Sequence, residues 1–130
     1  LTLYKDSLAS GFLLRKDEIR NLESQQIKVK RLDDLLEEIN FFDSNSKTLL
    51  KIDTEGFELD VLKGSEKLLS SDCLKYIQLE VRLNFIETYN PSDIFVKLQK
   101  YGFVFSRIDK VAFRKNGISY IDMTFEKLEV

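Results

Sequence analysis

The chain has 130 residues, 43% of them hydrophobic, which suits one globular domain spanning 1–130 and leaves too little for two, since domains usually take about 100–200 residues. Its 20 Lys and Arg nearly balance 22 Asp and Glu, and a formal charge of −2 gives no field able to gather nucleic-acid phosphates. With no His and one Cys, zinc clusters, His-based triads and internal disulfides are excluded.

No apolar run approaches the roughly 18 residues needed to cross a bilayer, and the start lacks a basic-then-apolar leader, so the expected setting is cytoplasmic with no membrane partner. Residue 1 is Leu rather than Met, which raises the expectation of a piece of something longer.

Along the chain, Leu1 and Leu3 alternate with Thr2 and Tyr4 as in a strand, and 7–11 reads as a loop. The stretch 15–26 is polar with scattered charges of both signs and is expected to be a solvated connection or an exposed helix. A β-branched alternation at 27–30 predicts a strand with one buried face. Leu32, Leu35, Leu36 and Ile39 then recur at the spacing of one helical stripe facing a core. Asp33 and Asp34 open that helix. Either can accept hydrogen bonds from its first-turn amides, and Asp34 with Glu37 has capping-box spacing. The helix should end near Asn40, with a loop over 43–47.

Residues 48–53 (TLLKID) form a compact apolar strand ending at Asp53, Thr54, Glu55 and Gly56, after which the period becomes helical. Val61, Leu62, Ser65, Leu68 and Leu69 share a face, Glu58 and Asp60 occupy the first turn, and Lys63 and Lys67 follow, as the helix dipole favours. Gly64 interrupts good helix formers at about 1 kcal/mol, which predicts close helix-to-sheet packing there. The next strand, 76–83, sets Ile77, Leu79 and Val81 on one face and Gln78, Glu80 and Arg82 on the other. Asn90 and Pro91 start a helix with the stripe Ile94, Phe95, Leu98 and Tyr101, and Gly102 stands where a left-handed cap is wanted. A strand over 103–108, an Asn116-Gly117 hairpin signal and a last alternating strand over 118–125 complete the pattern. Phe103, Phe105 and Phe113 are expected in the core, and Cys73 as a small half-buried side chain. Strands alternating with helices predict an α/β fold with a mostly parallel sheet.

Ligands of open α/β sheets bind beyond the carboxyl ends of the parallel strands. Asp53 and Glu55 close one strand there, and Glu80 with Arg82 stands near the end of the next, so the carboxylates converge if these strands are neighbours. The alternatives on spacing alone are that Asp53 or Glu55 caps the Glu58 helix while Lys51 pairs locally, and that Glu80 is held by Arg82 or a Lys. Gly56 would simply allow a sharp turn. A hard-cation site built from Asp53, Glu55 and Glu80 is a further possibility, though two or three carboxylates specify it weakly.

The string LLKIDTEGFELDVLKGSEKLL over 49–69 resembles the central motif of the FkbM-family methyltransferases: lysine, apolar, aspartate, any, glutamate, glycine, any, glutamate. Lys51, Asp53, Glu55, Gly56, Glu58 and Gly64 match it, Leu32-Asp33-Asp34 resembles the preceding leucine and aspartate pair, and 77–81 resembles the next strand. The likeness covers about 29–102. It implies a Rossmann-like class I sheet with a C-terminal antiparallel strand, S-adenosylmethionine as cofactor, and O-methyl transfer to a hydroxyl of a small molecule or sugar. Asp53 would orient or deprotonate that hydroxyl, Glu55 and Glu80 would hold polar groups of acceptor or cofactor, and Asp33 is a weaker candidate. The family's acidic residue and glycine-rich cofactor turn have no counterpart among the 130 residues. The resemblance therefore implies a sheet incomplete at the N-terminus, a C-terminal portion of the domain with no identified cofactor-binding residues, inactive by itself. Rival expectations are a non-catalytic domain that pairs with another chain, a homo-oligomer included, and a carboxylate-metal hydrolase.

Overall fold

The computed structural model describes residues 2–5, 23–43, 46–83 and 89–129. The expectations for 7–11 and 15–22 lie outside them.

Strand β1 (Thr2–Lys5) pairs antiparallel with β2 (Glu23–Gln26), from Thr2 opposite Gln26 to Lys5 opposite Glu23. This corrects two expectations: 23–26 is a strand rather than a connection or helix, and 27–30 runs on beyond it without strand structure. A strand is defined by the partner that bonds it, and β1 pairs with the polar 23–26. Val29 accordingly stands 66% exposed.

Helix α1 (Leu32–Glu38) ends near Asn40, as expected, with Ile39 at its C-cap and Asn40 in the left-handed conformation at φ 54°. Only Leu32 and Leu36 of its stripe lean on the core; Leu35 and Ile39 are exposed. The expectation of four core-facing residues fails because a helix of seven residues lying at the margin presents little more than one turn inward. A 3-10 turn, Phe41–Asp43, follows.

Beyond β3 (Thr48–Ile52), the single helix expected after Glu58 is two, α2 (Glu58–Lys63) and α3 (Glu66–Ser70). The cause is α1. The Asp33 amide donates to the Gly64 carbonyl at 3.0 Å, while the Asp33 carboxylate accepts the amides of Lys67 at 2.8 Å and Leu68 at 3.0 Å. In an unbroken helix the Leu68 amide would bond that same Gly64 carbonyl. Asp33 therefore caps α3, not its own helix, which has no side-chain cap; this corrects the capping assignment. Asp34 is exposed. Gly64 is corrected too, for a Cβ there would lie 3.5–3.6 Å from Asp60, Val61 and Arg31 backbone atoms, ordinary contact away from the sheet. The predicted stripe survives the break: Leu62, Ser65, Leu68 and Leu69 are buried, and Val61 is partly buried against the core.

Strand β4 (Leu74–Arg82) leads to α4 (Pro91–Lys100), where the Asn90 amide bonds the Asp93 carboxylate at 3.2 Å, and Gly102 ends the helix with φ 80°. Strands β5 (Phe103–Arg114) and β6 (Gly117–Lys127) form the predicted hairpin, with Gly117 at φ 113°. The sheet order is β3-β4-β6-β5, and only β3 and β4 pair parallel. The fold is α/β, but the mostly parallel sheet is not what forms. Strand β6 turns back from β5 and inserts between it and β4, so two of the three pairings are antiparallel although β3, β4 and β5 run the same way.

On one face of the sheet Ile77, Leu79 and Val81 of β4 and Ile121, Met123 and Phe125 of β6 meet Leu62, Leu69, Ile94 and Leu98 of the helices. Phe103 is buried as expected, but Phe105 and Phe113 are 47% and 72% exposed, because β5 is an edge strand extending past the helical layer. Cys73 is half-buried at the core margin, its Sγ 3.0 Å from Ser71 Oγ. Among the described residues no helix is long and apolar enough to cross a membrane. The opposite face aligns Lys51 with Gln78, Gln78 with Thr124, Glu80 with Asp122 and Arg82 with Tyr120.

Candidate functional site

Strand β3 ends at Ile52, and the chain reverses through Glu55 and Gly56 at φ 54° and 112° before α2 begins. Gly56 supplies that sharp turn cheaply; Glu55 enters the left-handed region against the preference of a side-chain-bearing residue. Neither Asp53 nor Glu55 caps α2, contrary to that alternative, since the cap position is Phe57 and the helix start shows no side-chain capping hydrogen bond. The carboxylate turns the other way. Glu58, fully buried, accepts hydrogen bonds from the Thr54 amide at 3.1 Å, the Thr54 hydroxyl at 3.2 Å and the Gly56 amide at 3.1 Å. Its other oxygen receives the Tyr89 hydroxyl at 2.8 Å. Burial first, then the Glu58 charge, holds that hydroxyl well above the usual tyrosine range, so it stays a donor.

Glu80 projects from β4 beside Asp122 of β6 and is only 9% exposed. Arg82 Nε donates to Glu80 Oε1 at 3.2 Å, while Arg82 Nη2 forms an ion pair with Glu55 Oε2. One guanidinium thus joins the carboxylates of two segments. Asp53 and Glu80 line the same cleft of about 130 Å³ with Lys51, Gln78 and Asp122. Because β3 and β4 are adjacent parallel strands, Asp53 and Glu80 share this cleft, while Glu55 is not among its lining residues and is joined to Glu80 only through Arg82.

Burial raises the Glu80 pKa to about 7, helped by the negative charges of Asp53, Asp122 and Glu58 and opposed by Lys110. Such a group exchanges its proton near neutrality, the property a general base requires. As a metal site the set is poor, since Glu55 and Glu80 face each other across Arg82. Among the described residues no group of three or more His, Cys, Asp or Glu is placed to hold a metal ion.

Three participants escape the sequence reading. Asp122 is brought in solely by β6 pairing, and its only sequence signal is the alternation of the last strand. Glu58 was legible as a first-turn acid and as part of the 49–69 motif, but not as a buried acceptor that points back into the turn preceding it. Tyr89 belongs to no periodic pattern. Asp33 lies apart, beneath α3.

The sequence model of the Methyltransferase FkbM domain matches residues 3–105, a span that includes Asp53, Glu55, Glu58, Glu80 and Tyr89 but stops short of Asp122. No curated protein and no solved structure matches the chain.

Proposed function

The chain belongs to the FkbM methyltransferase family, and from that membership we propose that the cleft between Asp53 and Glu80 serves methyl transfer from S-adenosylmethionine to a hydroxyl of a small molecule or sugar. The mixed sheet is then part of a Rossmann-like methyltransferase domain, with β6 as its antiparallel last strand.

The residues suit this donor in charge and not in size. Asp53, Glu80 and Asp122 gather negative charge that a sulfonium or ammonium group would relieve. A volume of about 130 Å³ is, however, well below the roughly 300–1,000 Å³ of small-molecule sites, so the cleft would take only one end of the molecule. When bound, S-adenosylmethionine supplies an electrophilic methyl group. The chain's own part is proton transfer and alignment. Glu80 Oε2, the oxygen not engaged by Arg82 Nε, accepts the proton of the acceptor hydroxyl, Asp53 at the open rim orients that hydroxyl, and Arg82 fixes the Glu80 carboxylate. The base is then Glu80 rather than Asp53, and the observation that carries this is a buried carboxylate beside two others that titrates near neutrality.

The test is label transfer from methyl-labelled S-adenosylmethionine to a panel of sugars and small alcohols, with the longest natural form of the chain. Glu80→Gln and Asp53→Ala are each expected to lower turnover by about 100-fold or more while leaving the far-ultraviolet circular dichroism unchanged. Undiminished transfer in Glu80→Gln would refute the assignment of the base.

A further inference from the structure

Glu58 is a carboxylate with no exposure to solvent. Such a group survives only when hydrogen-bond donors replace the lost water, and here the donors come from separate parts of the fold. The Thr54 amide and hydroxyl and the Gly56 amide belong to the turn after β3. The Tyr89 hydroxyl belongs to the approach to α4.

What this carboxylate grips is the segment that presents Glu55. A residue with a Cβ is disfavoured in the left-handed conformation that Glu55 shows at φ 54°, so holding the flanking amides of Thr54 and Gly56 helps it to persist. In that conformation Glu55 reaches Arg82, and Arg82 in turn holds Glu80.

We propose that Glu58 and Tyr89 are a positioning pair for the methyl-transfer site, fixing the Glu55 turn so that the Arg82 guanidinium is divided between Glu55 and Glu80. Neither side chain meets the acceptor. The inference rests on the reading of Glu80 as proton acceptor, and it adds how the fold controls that residue. With Glu55 in place, Arg82 Nη2 and part of the guanidinium charge are engaged away from Glu80. Released from Glu55, the guanidinium would favour the ionised form of Glu80. The other charges facing Glu80 are Asp53 beyond β3, Asp122 of β6, Glu58 of α2 and Lys110 of β5.

The experiment follows the Glu80 carboxyl by carbon NMR through a pH titration of the 130-residue chain, in the parent, Tyr89→Phe, Glu55→Ala and the double variant. Both single variants should lower the Glu80 midpoint by about half a unit or more. The double variant should lower it no further than Glu55→Ala alone, because the pair acts through Glu55. In Tyr89→Phe, amide exchange at Thr54 and Gly56 should accelerate about tenfold or more, while Leu79 and Ile121 keep their protection. Thr54→Val, which removes one donor from the turn side, should move both readouts in the same direction and serves if Tyr89→Phe fails to fold. An unmoved Glu80 midpoint in Tyr89→Phe, or shifts that add in the double variant, would overturn the proposal, since a merely structural hydroxyl would change stability alone. These readouts need no turnover: an absence of methyl transfer by the longest natural form counts against the function proposed above and leaves the coupling of Glu58 and Tyr89 to Glu80 through Glu55 and Arg82 standing.

Discussion

Glu80, Glu58 and Asp33 are carboxylates that the fold withdraws from water, and each answers the cost differently. Asp33 is surrounded by amides, Glu58 by amides and a hydroxyl, and Glu80 shares one guanidinium while facing other acids. The last arrangement leaves a pH signature. The folded-state pKa of about 7 lies above the ordinary 4.5, so between these values the native chain keeps a proton that the unfolded chain has lost. Stability should therefore fall as pH rises from about 4.5 to 7 and level off beyond, with a contribution of at most about 3 kcal/mol. Glu80→Gln removes this slope: urea unfolding at several pH values should show the variant gaining on the parent towards pH about 8 and matching it more closely near pH about 5. In the parent enzyme the same group predicts turnover that declines as pH drops below about 7. At this scale Asp53 and Glu55 were legible as acids closing a strand, and their partner Glu80 by its place near the next strand's end. Its burial and the presence of Asp122 were not, because both depend on β6.

Local periodicity located α1, α4 and the interior strands, for the apolar stripe of a helix and the alternation of a strand are properties of neighbouring residues. Asn90, Pro91, Gly102 and the Asn116-Gly117 pair marked their ends for equally local reasons. The break between α2 and α3 left no such mark. It is imposed by Asp33, more than thirty residues earlier in the chain, whose carboxylate replaces the helical acceptors of Lys67 and Leu68. Asp33→Ala should thus cost about 1–3 kcal/mol in chemical denaturation, because two amides at the start of α3 lose their acceptor. Asp33→Asn, which retains one acceptor oxygen, should cost less. A loss below about 0.5 kcal/mol in Asp33→Ala would show that the cap contributes little.

Across the whole molecule, stability rests on the face of the sheet that meets the helices, while chemistry is assigned to the other. Leu79 stands between β3 and β6 in the buried layer, whereas Phe113 projects from the far end of the edge strand. Leu79→Ala should lower the unfolding free energy by about 2–5 kcal/mol, and Phe113→Ser should change it by no more than about 0.5 kcal/mol, both read from urea midpoints. Equal effects would contradict the layer assignment. The amino-acid order by itself determined an α/β chain, the α4 helix with its caps, the final hairpin, the motif of its family and the acids at the end of β3, all of which follow from interactions between residues close in sequence. Tertiary structure alone decided that β6 would enter between β4 and β5, that Asp33 would split a helix, and that Glu80 would be buried beside Asp122. Those outcomes depend on which distant segments pair, and the hydrogen bonds and burial that select a pairing exist only once both partners are in place.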